Sequence, residues 1–419
     1  MSNTLNLGTD GNWATKEYSL LAYNSENGNF KPLPFDFTRA SSATVVNKDG
    51  LIETVGSGEP RIDFNNDAKG ALLLEGTRSN LLTYSEDFSQ GYWTKTGASV
   101  TSGFSSPDGG LNAFKLVEDT STLGHLIEAT VLVNVYDVSQ SIYVKPDGIQ
   151  YLVLRSNSSG GTYINCTFDL VNGTNTYNGM TEDFKIELAT DGWFKISASN
   201  RSSASAFRVF SYIMSHFDVQ NNGFPNQTGD GTSGIYIWGA QLEQGSYATS
   251  YIPTQGSAVT RVADACNNAG NEQVINSTEG VLYAEISALD DDETQRFISL
   301  SDGTTTNRLI LGFDNSSNRI ISFARVGGAL SFDIKETISN IQSYNKIAIK
   351  WKENDFALWA NGVELGVDTS GASFTSNVLN ALKFSDADGT TEIFNGNAKD
   401  VRVYNTALTD QELINLTTI

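Results

Sequence analysis

The feature that most constrains this sequence is a regular succession of short β-type segments separated by turn residues. Six such segments follow one another: SIYVKP (141–146), YLVLRS (151–156), TYINCTFDL (162–170), GWFKISAS (192–199), AFRVFSYIMS (206–215) and GIYIWGAQLE (234–243). Clusters of Gly, Asn, Asp or Ser lie between most of them. Short strands at this spacing, bounded by turn signals, are typical of an antiparallel β-sandwich.

A second series of strands is predicted in the last third of the chain. The segments RLILGFD (308–314) and NRIISFARV (318–326) predict one hairpin, and FALWANGVEL (356–365) predicts another that turns at Asn361-Gly362. In KIAIKWK, Ile347, Ile349 and Trp351 alternate with the residues between them, which is the period of a strand. The sequence Thr409-Asp410-Gln411-Glu412 is a capping box and predicts a short C-terminal helix.

A polar stretch rich in small residues, 254–280, separates the two series of strands. The residues before position 80 show few clear strands and scattered turn signals. We therefore predict an all-β protein with two tandem antiparallel β-sandwiches preceded by an irregular N-terminal segment. The predicted boundaries are 1–79 for that segment, 80–254 for the first sandwich, 255–279 for a linker and 280–419 for the second sandwich.

Composition supports the all-β class and excludes two kinds of partner. Only 18% of the residues are charged, and Ser, Thr, Asn and Gly, which are poor helix formers, are frequent. The formal net charge is −21 and is shared almost equally by residues 1–260 and 261–419. Since an acidic surface does not attract nucleic acid or anionic lipid, we expect neither as a partner. No run of 18 apolar residues exists, which predicts no membrane insertion.

Residue types that carry catalysis are scarce. The chain has two cysteines, Cys166 and Cys266, and two histidines, His125 and His216, and it lacks G-x-S-x-G, H-E-x-x-H and P-loop sequences. Glycoside hydrolysis needs two carboxylates about 5–10 Å apart, and no predicted strand carries such a pair. The acidic run 289–294 is interpreted as a solvated turn, and calcium chelation is the alternative for it. We therefore predict a protein that is not an enzyme and that has no catalytic residue.

Three stretches resemble structural proteins of tailed bacteriophages. Within residues 37–93, an ordered set of motifs matches a recurrent segment of tail-fibre, head-fibre and spike-like proteins: Arg39-Ala40-Ser41, Asp49-Gly50-Leu51-Ile52, Glu59-Pro60-Arg61 and Thr77-Arg78-Ser79-Asn80-Leu81-Leu82. Residues 235–264 are similar to the closing strand of a carbohydrate-binding-module-like jelly roll in the same proteins. Residues 346–365 and 399–413 resemble the concanavalin A-like, laminin-G-like sandwich.

The resemblance implies a jelly roll at 80–254 and a concanavalin A-like sandwich at 280–419. It also implies a fibre or decoration protein of the virion, on the head or the tail, that forms a homotrimer. Residues 1–79 would attach it to other virion proteins. The N-terminus shows no signal peptide, so we expect synthesis in the host cytoplasm and a final location on the virion surface.

Sugar binding requires aromatic faces beside side chains that hydrogen-bond hydroxyl groups. Aromatic residues near a loop, and tyrosines and one arginine opposite the apolar positions of strands, are the candidates. The candidate ligand-binding residues are Tyr92, Trp93, Tyr143, Tyr151, Arg155, Tyr163, Tyr212 and Trp359. For the strand residues the alternative is packing against cross-strand neighbours. For Trp359 it is burial in a second core.

Calcium in a structural role is the one cofactor that the sequence suggests. Asp386 and Asp388 stand one residue apart before Gly389, a common arrangement of oxygen ligands for Ca²⁺. Jelly-roll binding modules often carry a structural calcium near their first and last strands, and the resemblance therefore adds Glu86 and Glu243. The alternative for these residues is an ordinary polar role.

Three functions follow from these features. The leading hypothesis is a non-enzymatic virion protein whose lectin-like domains bind polysaccharide of the host surface. The alternative is a polysaccharide depolymerase of the same virion, and a third hypothesis is a purely structural virion module that binds no sugar.

Overall fold

The computed structural model describes residues 2–30, 33–65, 67–133, 137–158, 161–179, 183–201, 206–220 and 223–419. Strands in antiparallel sheets and the turns between them make up almost all of this backbone, which confirms the predicted all-β class. The chain divides into two compact units: residues 1–42, 55–76 and 262–419 form the first, and residues 43–54 and 77–261 form the second. Across the described residues, no helix is long and apolar enough to span a membrane.

Among its described residues, the first unit contains three sheets. In spatial order, the eight-stranded sheet consists of Val363–Asp368, Phe356–Ala360, Asn345–Lys352, Glu279–Ala288, Gly396–Tyr404, Ala71–Leu74 and Ile62–Asp63, with Leu5–Leu7 also paired to Gly396–Tyr404. The five-stranded sheet consists of Ala329–Thr337, Arg319–Val326, Arg308–Phe313, Arg296–Ser301 and Ala381–Lys383. The four-stranded sheet consists of Thr15–Lys16, Ser19–Leu20, Phe35–Thr38 and Ala265–Asn267.

Alternation of apolar side chains explains why the two larger sheets pack face to face. Ile347, Ile349 and Trp351 are buried on the same side of their strand, as the sequence period predicts. They share one hydrophobic core with Leu309 and Leu311 of the five-stranded sheet. Burying these side chains on one face leaves the other face of each sheet for separate clusters or for solvent.

Both predicted hairpins of the first unit are confirmed. Arg308–Phe313 pairs with Arg319–Val326, and Phe356–Ala360 pairs with Val363–Asp368. Asn361 and Gly362 have φ of 52° and 82°, the positive values that a type I′ turn requires at both central residues. The register of this hairpin is therefore set by two residues at its tip.

The N-terminal residues take part in the first unit rather than forming a separate irregular segment. Leu5–Leu7 pairs with Val401, Arg402 and Val403, and Leu72 pairs with Ala398. The last long strand of the chain thus gains neighbours from both short strands, because its free edge offers unpaired backbone groups. This arrangement differs from the predicted boundary at residue 79.

The stretch predicted as a linker, 255–279, also contains paired strands. Val259–Arg261 pairs with Arg78–Asn80 in the second unit, and Ala265–Asn267 pairs with Phe35–Thr38 in the first. The polar residues of 255–279 are therefore not all in turns, because Asp264 is fully buried and pairs with Arg39 and Arg61.

In the described part of the second unit there are two six-stranded antiparallel sheets and three short strand pairs. In spatial order, one large sheet consists of Thr94–Thr96, His125–Val133, Ala206–Ser215, Tyr151–Ser158, Gly161–Asp169 and Thr174–Gly179. The other consists of Ala98–Phe104, Ala113–Glu118, Gly234–Gln244, Asp137–Asp147, Phe194–Arg201 and Asp183–Leu188. The short pairs are Ala43–Val46 with Ile52–Val55, Thr122–Leu123 with Gln227–Thr228, and Arg78–Asn80 with Val259–Arg261. This is the jelly-roll-like sandwich that the strand spacing predicts.

The core of the second unit lies between its two large sheets. Leu152, Leu154 and Phe210 from one sheet pack in the same cluster as Ile142 and Ile237 from the other. Trp193 and Trp238 are also buried, in a smaller cluster that includes Tyr143 and Tyr251. Trp351 in the first unit is likewise fully buried.

The predicted capping box starts the C-terminal helix, which runs over Asp410–Thr417. The Thr409 hydroxyl accepts from the backbone N–H of Glu412, and the Glu412 carboxylate accepts from the backbone N–H of Thr409. Leu413 is the anchor of the helix and is fully buried. A two-turn helix is marginal by itself, so packing holds it in place.

Candidate functional site

The outward face of the eight-stranded sheet in the first unit is covered only in part. The C-terminal helix packs Leu413 onto a cluster formed by Tyr283, Trp359 and Tyr404, with Ile414 and Leu416 at its border. Beyond the helix the sheet face is open and polar. This open part forms the floor of a cavity of about 560 Å³.

A β-bulge shapes the cavity floor. Glu285 pairs with Asp400 and the next residue, Ile286, pairs with Ala398, so Lys399 is the extra residue. Ala398 and Val401 both point into the hydrophobic core. The bulge therefore places two consecutive side chains, Lys399 and Asp400, on the outward face, where a regular strand would place only one.

Two turns from the N-terminal part of the chain form walls of the cavity. One is the turn around Thr9–Gly11 and the other is the turn at residues 67–70. Gly8 has a φ of 73°, and a Cβ atom there would collide with the carbonyl oxygen of Lys399 and the ring of Trp13. Glycine is thus required for the first turn to lie directly against the bulged strand.

Hydrogen bonds fix most of the charged groups in the cavity. The Nε of Arg402 donates to both Asp400 oxygens at 3.1 and 2.9 Å, and the Thr9 hydroxyl donates to Asp400 at 2.8 Å. Lys399 pairs with Asp67 at 2.5 Å, and its Nζ lies 3.7 Å from the centroid of the Tyr344 ring. These contacts tie the walls to the floor and hold the side chains in defined positions.

The pKa shifts keep these groups in one ionisation state at neutral pH. Burial opposes the charge of Arg402, but its hydrogen bond and ion pair with Asp400 outweigh burial and raise the pKa of Arg402. Burial alone would raise the pKa of the Asp67 carboxyl. The hydrogen bonds from Lys399 and from the Lys69 backbone N–H outweigh burial, so the pKa is lowered overall. The pKa values of Tyr283 and Tyr344 are raised by burial and by nearby carboxylates, so both phenols stay neutral.

Glu285 differs from the other carboxylates of the cavity. It is half-buried on the floor, and no described residue gives it a hydrogen bond or an ion pair. Its cross-strand neighbour Lys346 instead donates to the carbonyl oxygen of Thr418 at 2.8 Å. The carboxylate of Glu285 is thus available to accept hydrogen bonds from a ligand, while the fixed groups around it give the cavity its shape.

Most of the aromatic residues predicted to bind sugar are buried instead. Trp93 and Tyr212 lie in the core of the second unit, Tyr143 packs against Trp238 at 5.5 Å between ring centroids, and Trp359 lies under the C-terminal helix. For Tyr143 and Tyr212 this burial is the packing alternative, and for Trp359 it is burial in a second core. Trp93 lies just before the strand Thr94–Thr96 and packs in the same cluster as Tyr212. Tyr92 is half-buried and packs against the same core.

Two of the predicted residues do share an outward face. Tyr151 and Arg155 are both half-buried on the strand Tyr151–Ser158, opposite Leu152 and Leu154 of the core. Arg155 donates to Gly223 at 3.2 Å and lies 5.5 Å from the centroid of the Phe224 ring, and burial lowers its pKa. Its guanidinium therefore holds the segment at residues 223–224. The side chain of Tyr163 lies outside the described part of the structure.

The calcium candidates of the first unit are held by protein groups. Asp386 is buried and pairs with Arg308 at 2.6 Å. Asp388 accepts from the backbone N–H groups of Thr390 and Thr391 at 2.8 and 2.9 Å, and these bonds lower its pKa. The two carboxylates thus have partners of their own.

The candidates of the second unit are similarly engaged. Glu86 accepts from Tyr251 and Asn112, each at 2.9 Å, and burial raises its pKa. Glu243 accepts from the Thr249 backbone at 2.8 Å and from its hydroxyl. Within the described residues, no group of three or more His, Cys, Asp or Glu is placed to hold a metal ion. Calcium binding stays a prediction.

Sequence reasoning did not find the cavity. Its floor residues come from strands that are far apart in the chain, and its walls come from a segment interpreted as irregular. One signal was present in the sequence: in KDVRVY (399–404) two charged residues stand side by side before a regular alternation, which fits a bulge. The pattern by itself does not say which face the charges occupy.

A family model matches the C-terminal part of this chain. Residues 282–414 match the model of the Concanavalin A-like lectin/glucanases superfamily, which includes the strands of the cavity floor. This part of the chain is therefore a concanavalin A-like, laminin-G-like domain. A search of curated proteins finds no match.

The solved structures that match parts of this chain include a carbohydrate-binding module and a pair of laminin domains. The chain is 20% identical to the CBM40 of the Ruminococcus gnavus IT-sialidase bound to α2,3-sialyllactose, over 34% of this chain and 83% of that one, at a TM-score of 0.30. It is 10% identical to domains LG4–5 of the mouse laminin α1 chain, over 69% and 92%, at a TM-score of 0.25. At these TM-scores the likenesses define neither the fold nor a ligand of this chain.

Proposed function

We propose that this protein is a non-enzymatic, glycan-binding protein of a phage virion, and that the cavity on its concanavalin A-like sheet is a sugar-binding site. The observation that carries the proposal is the cavity itself: its volume of about 560 Å³ lies within the range of small-ligand sites. Its lining consists mainly of charged groups held in fixed positions. Such groups hydrogen-bond the hydroxyls of a sugar ring without needing to reorganise.

The virion assignment rests on the phage-like motifs of residues 37–93. Two of their charged residues, Arg39 and Arg61, meet Glu75 and Asp264 in one buried ion cluster of the first unit. A location on the virion surface, attachment through the N-terminal residues and a homotrimeric assembly complete the proposal. Three copies would raise the avidity of a weak site.

Binding is favoured over hydrolysis by the state of the cavity carboxylates. Asp400 accepts hydrogen bonds from Arg402 and Thr9, which leaves Glu285 as the carboxylate without a hydrogen bond among the described residues. A hydrolase needs two carboxylates that both reach the scissile bond. The depolymerase alternative predicts release of reducing sugar from host polysaccharide, and the binding protein predicts none.

The test of the site is a substitution that fills its mouth. Asn415 is an exposed helix residue that lines the cavity, so Asn415→Trp should abolish binding to immobilised host polysaccharide without loss of stability. Gln411→Trp, one turn earlier and outside the lining, is the matched control and should bind like the wild type. Equal binding by the two variants would contradict the proposed site. Immunogold labelling that finds no protein on virions would contradict the virion role.

A further inference from the structure

The charges that line the cavity are balanced. Four carboxylates and four cationic groups contribute to the lining: Asp10, Asp67, Glu285, Asp400, Lys69, Lys346, Lys399 and Arg402. An excess of Arg and Lys side chains in a cavity favours an anionic ligand, because these cations make strong charge-assisted hydrogen bonds to carboxylate, sulfate or phosphate groups. This lining has no such excess.

The four cationic groups are also engaged. Lys399 pairs with Asp67, and Arg402 pairs with Asp400. Lys69 pairs with Asp10 at 3.4 Å, and Lys346 donates to the backbone of Thr418. A carboxylate or sulfate group of a ligand that approached Lys399 or Arg402 would compete with the carboxylate that already holds that cation.

Glu285 also disfavours an anionic ligand. Its carboxylate is half-buried and has no hydrogen bond from a described residue, so it accepts hydrogen bonds and repels a second negative charge. Two hydroxyl groups on neighbouring sugar carbons can donate to the two oxygens of one carboxylate. The net charge of −21 on the whole chain adds a long-range repulsion of polyanions.

We infer that the cavity selects uncharged, hydroxylated sugar residues over carboxylated or sulfated ones, and that Glu285 determines this specificity by accepting hydrogen bonds from sugar hydroxyls. The inference rests on the proposed glycan binding and names the chemical class of its ligand.

The test is a glycan array that presents neutral, uronate-containing, sialylated and sulfated glycans to the full chain. The strongest ligands should be uncharged. Their affinity should stay nearly constant between 50 and 500 mM salt, since screening acts on charge pairs and not on neutral ligands. Glu285→Gln keeps the shape of the side chain and removes its charge, and it should weaken the best neutral ligand by about tenfold or more, the size of a lost charge-assisted hydrogen bond.

Glu279→Gln is the matched control, because Glu279 lies on the same strand and pairs with Lys352 at the surface. It should bind like the wild type. A preference for acidic glycans, or unchanged neutral binding by Glu285→Gln, overturns the inference. If Asn415→Trp abolishes binding while acidic glycans are preferred, the inference fails and the proposed site stands. If the wild type binds no glycan, both fail.

Discussion

Arg39 and Asp264 lie 225 residues apart in the sequence and form a fully buried ion pair, with 3.0 Å between Nη1 and Oδ1. Asp264 also accepts from Arg61 and from the backbone N–H of Glu75. Arg61 donates in turn to the Glu75 carboxylate at 2.6 Å. Arg39 and Arg61 belong to the R-A-S and E-P-R motifs of the phage-like segment. Two of the spaced motifs of that segment therefore meet in one cluster that joins the N-terminal residues to the strands after residue 262.

Asp264→Asn should destabilise the first unit strongly. The variant leaves Arg39 and Arg61 buried without their shared carboxylate, and breaking a buried pair in this way costs about 3–5 kcal/mol. Urea denaturation measures the change in the free energy of unfolding. Asp10→Asn is the control, because Asp10 and Lys69 form an exposed pair that should contribute less than about 1 kcal/mol. Equal effects of the two variants would show that the buried cluster is unimportant for folding.

Gly8→Ala should cost more than its backbone strain alone. Alanine at a positive φ costs about 1–2 kcal/mol, and at position 8 its Cβ would also collide with Lys399 and Trp13. Gly303→Ala is the matched control, since Gly303 has a φ of 88° and open space around its Cβ position. Thermal denaturation should show a larger loss for Gly8→Ala, and glycan binding should weaken only for that variant. If both variants lose the same thermal stability and both bind glycan normally, the turn at Gly8 relieves the collision by shifting, and the shift does not affect the cavity.

The contribution of Glu86 to stability should fall as the pH rises. Burial raises the pKa of Glu86 above its usual value of 4.5, although Tyr251 and Asn112 hydrogen-bond the carboxylate. The folded state therefore holds this proton more tightly than the unfolded state. Its contribution is complete below the unfolded pKa and is lost as the pH rises through the folded pKa. The unfolding free energy of the wild type minus that of Glu86→Gln should decrease from pH 4 to pH 7. A difference that grows over this range would contradict the assigned direction.

Asp386→Asn should lower stability by about 1.5–3 kcal/mol, the value of a hydrogen bond to a charged group, because Asp386 pairs with Arg308. Thermal melts in calcium chloride and in EDTA check this result, and the loss should be the same in both. A loss that appears only in calcium would instead make Asp386 a metal ligand, as its D-x-D-G setting suggests.

The local features of the fold could be predicted from the sequence because a few adjacent residues determine them. Asn361 and Gly362 fix a type I′ hairpin through their positive φ angles, and Thr409 with Glu412 starts the C-terminal helix. The alternation of Ile347, Ile349 and Trp351 fixes which side of one strand faces the core. Each of these depends on turn geometry, capping or period, and none requires knowledge of distant residues.

The candidate site depends on strand order, which no local pattern contains. Tyr212 and Trp93 are candidate sugar-binding residues by sequence, but both are buried: the opposing sheet covers the side of the strand on which Tyr212 lies, and Trp93 packs in the same cluster. Glu285, Lys399 and Arg402 lie together because their strands pair and because a bulge turns Lys399 and Asp400 to one face. The sequence thus determined an all-β chain and its individual hairpins. Only the tertiary structure decided which side chains are exposed, since burial depends on what packs against each face.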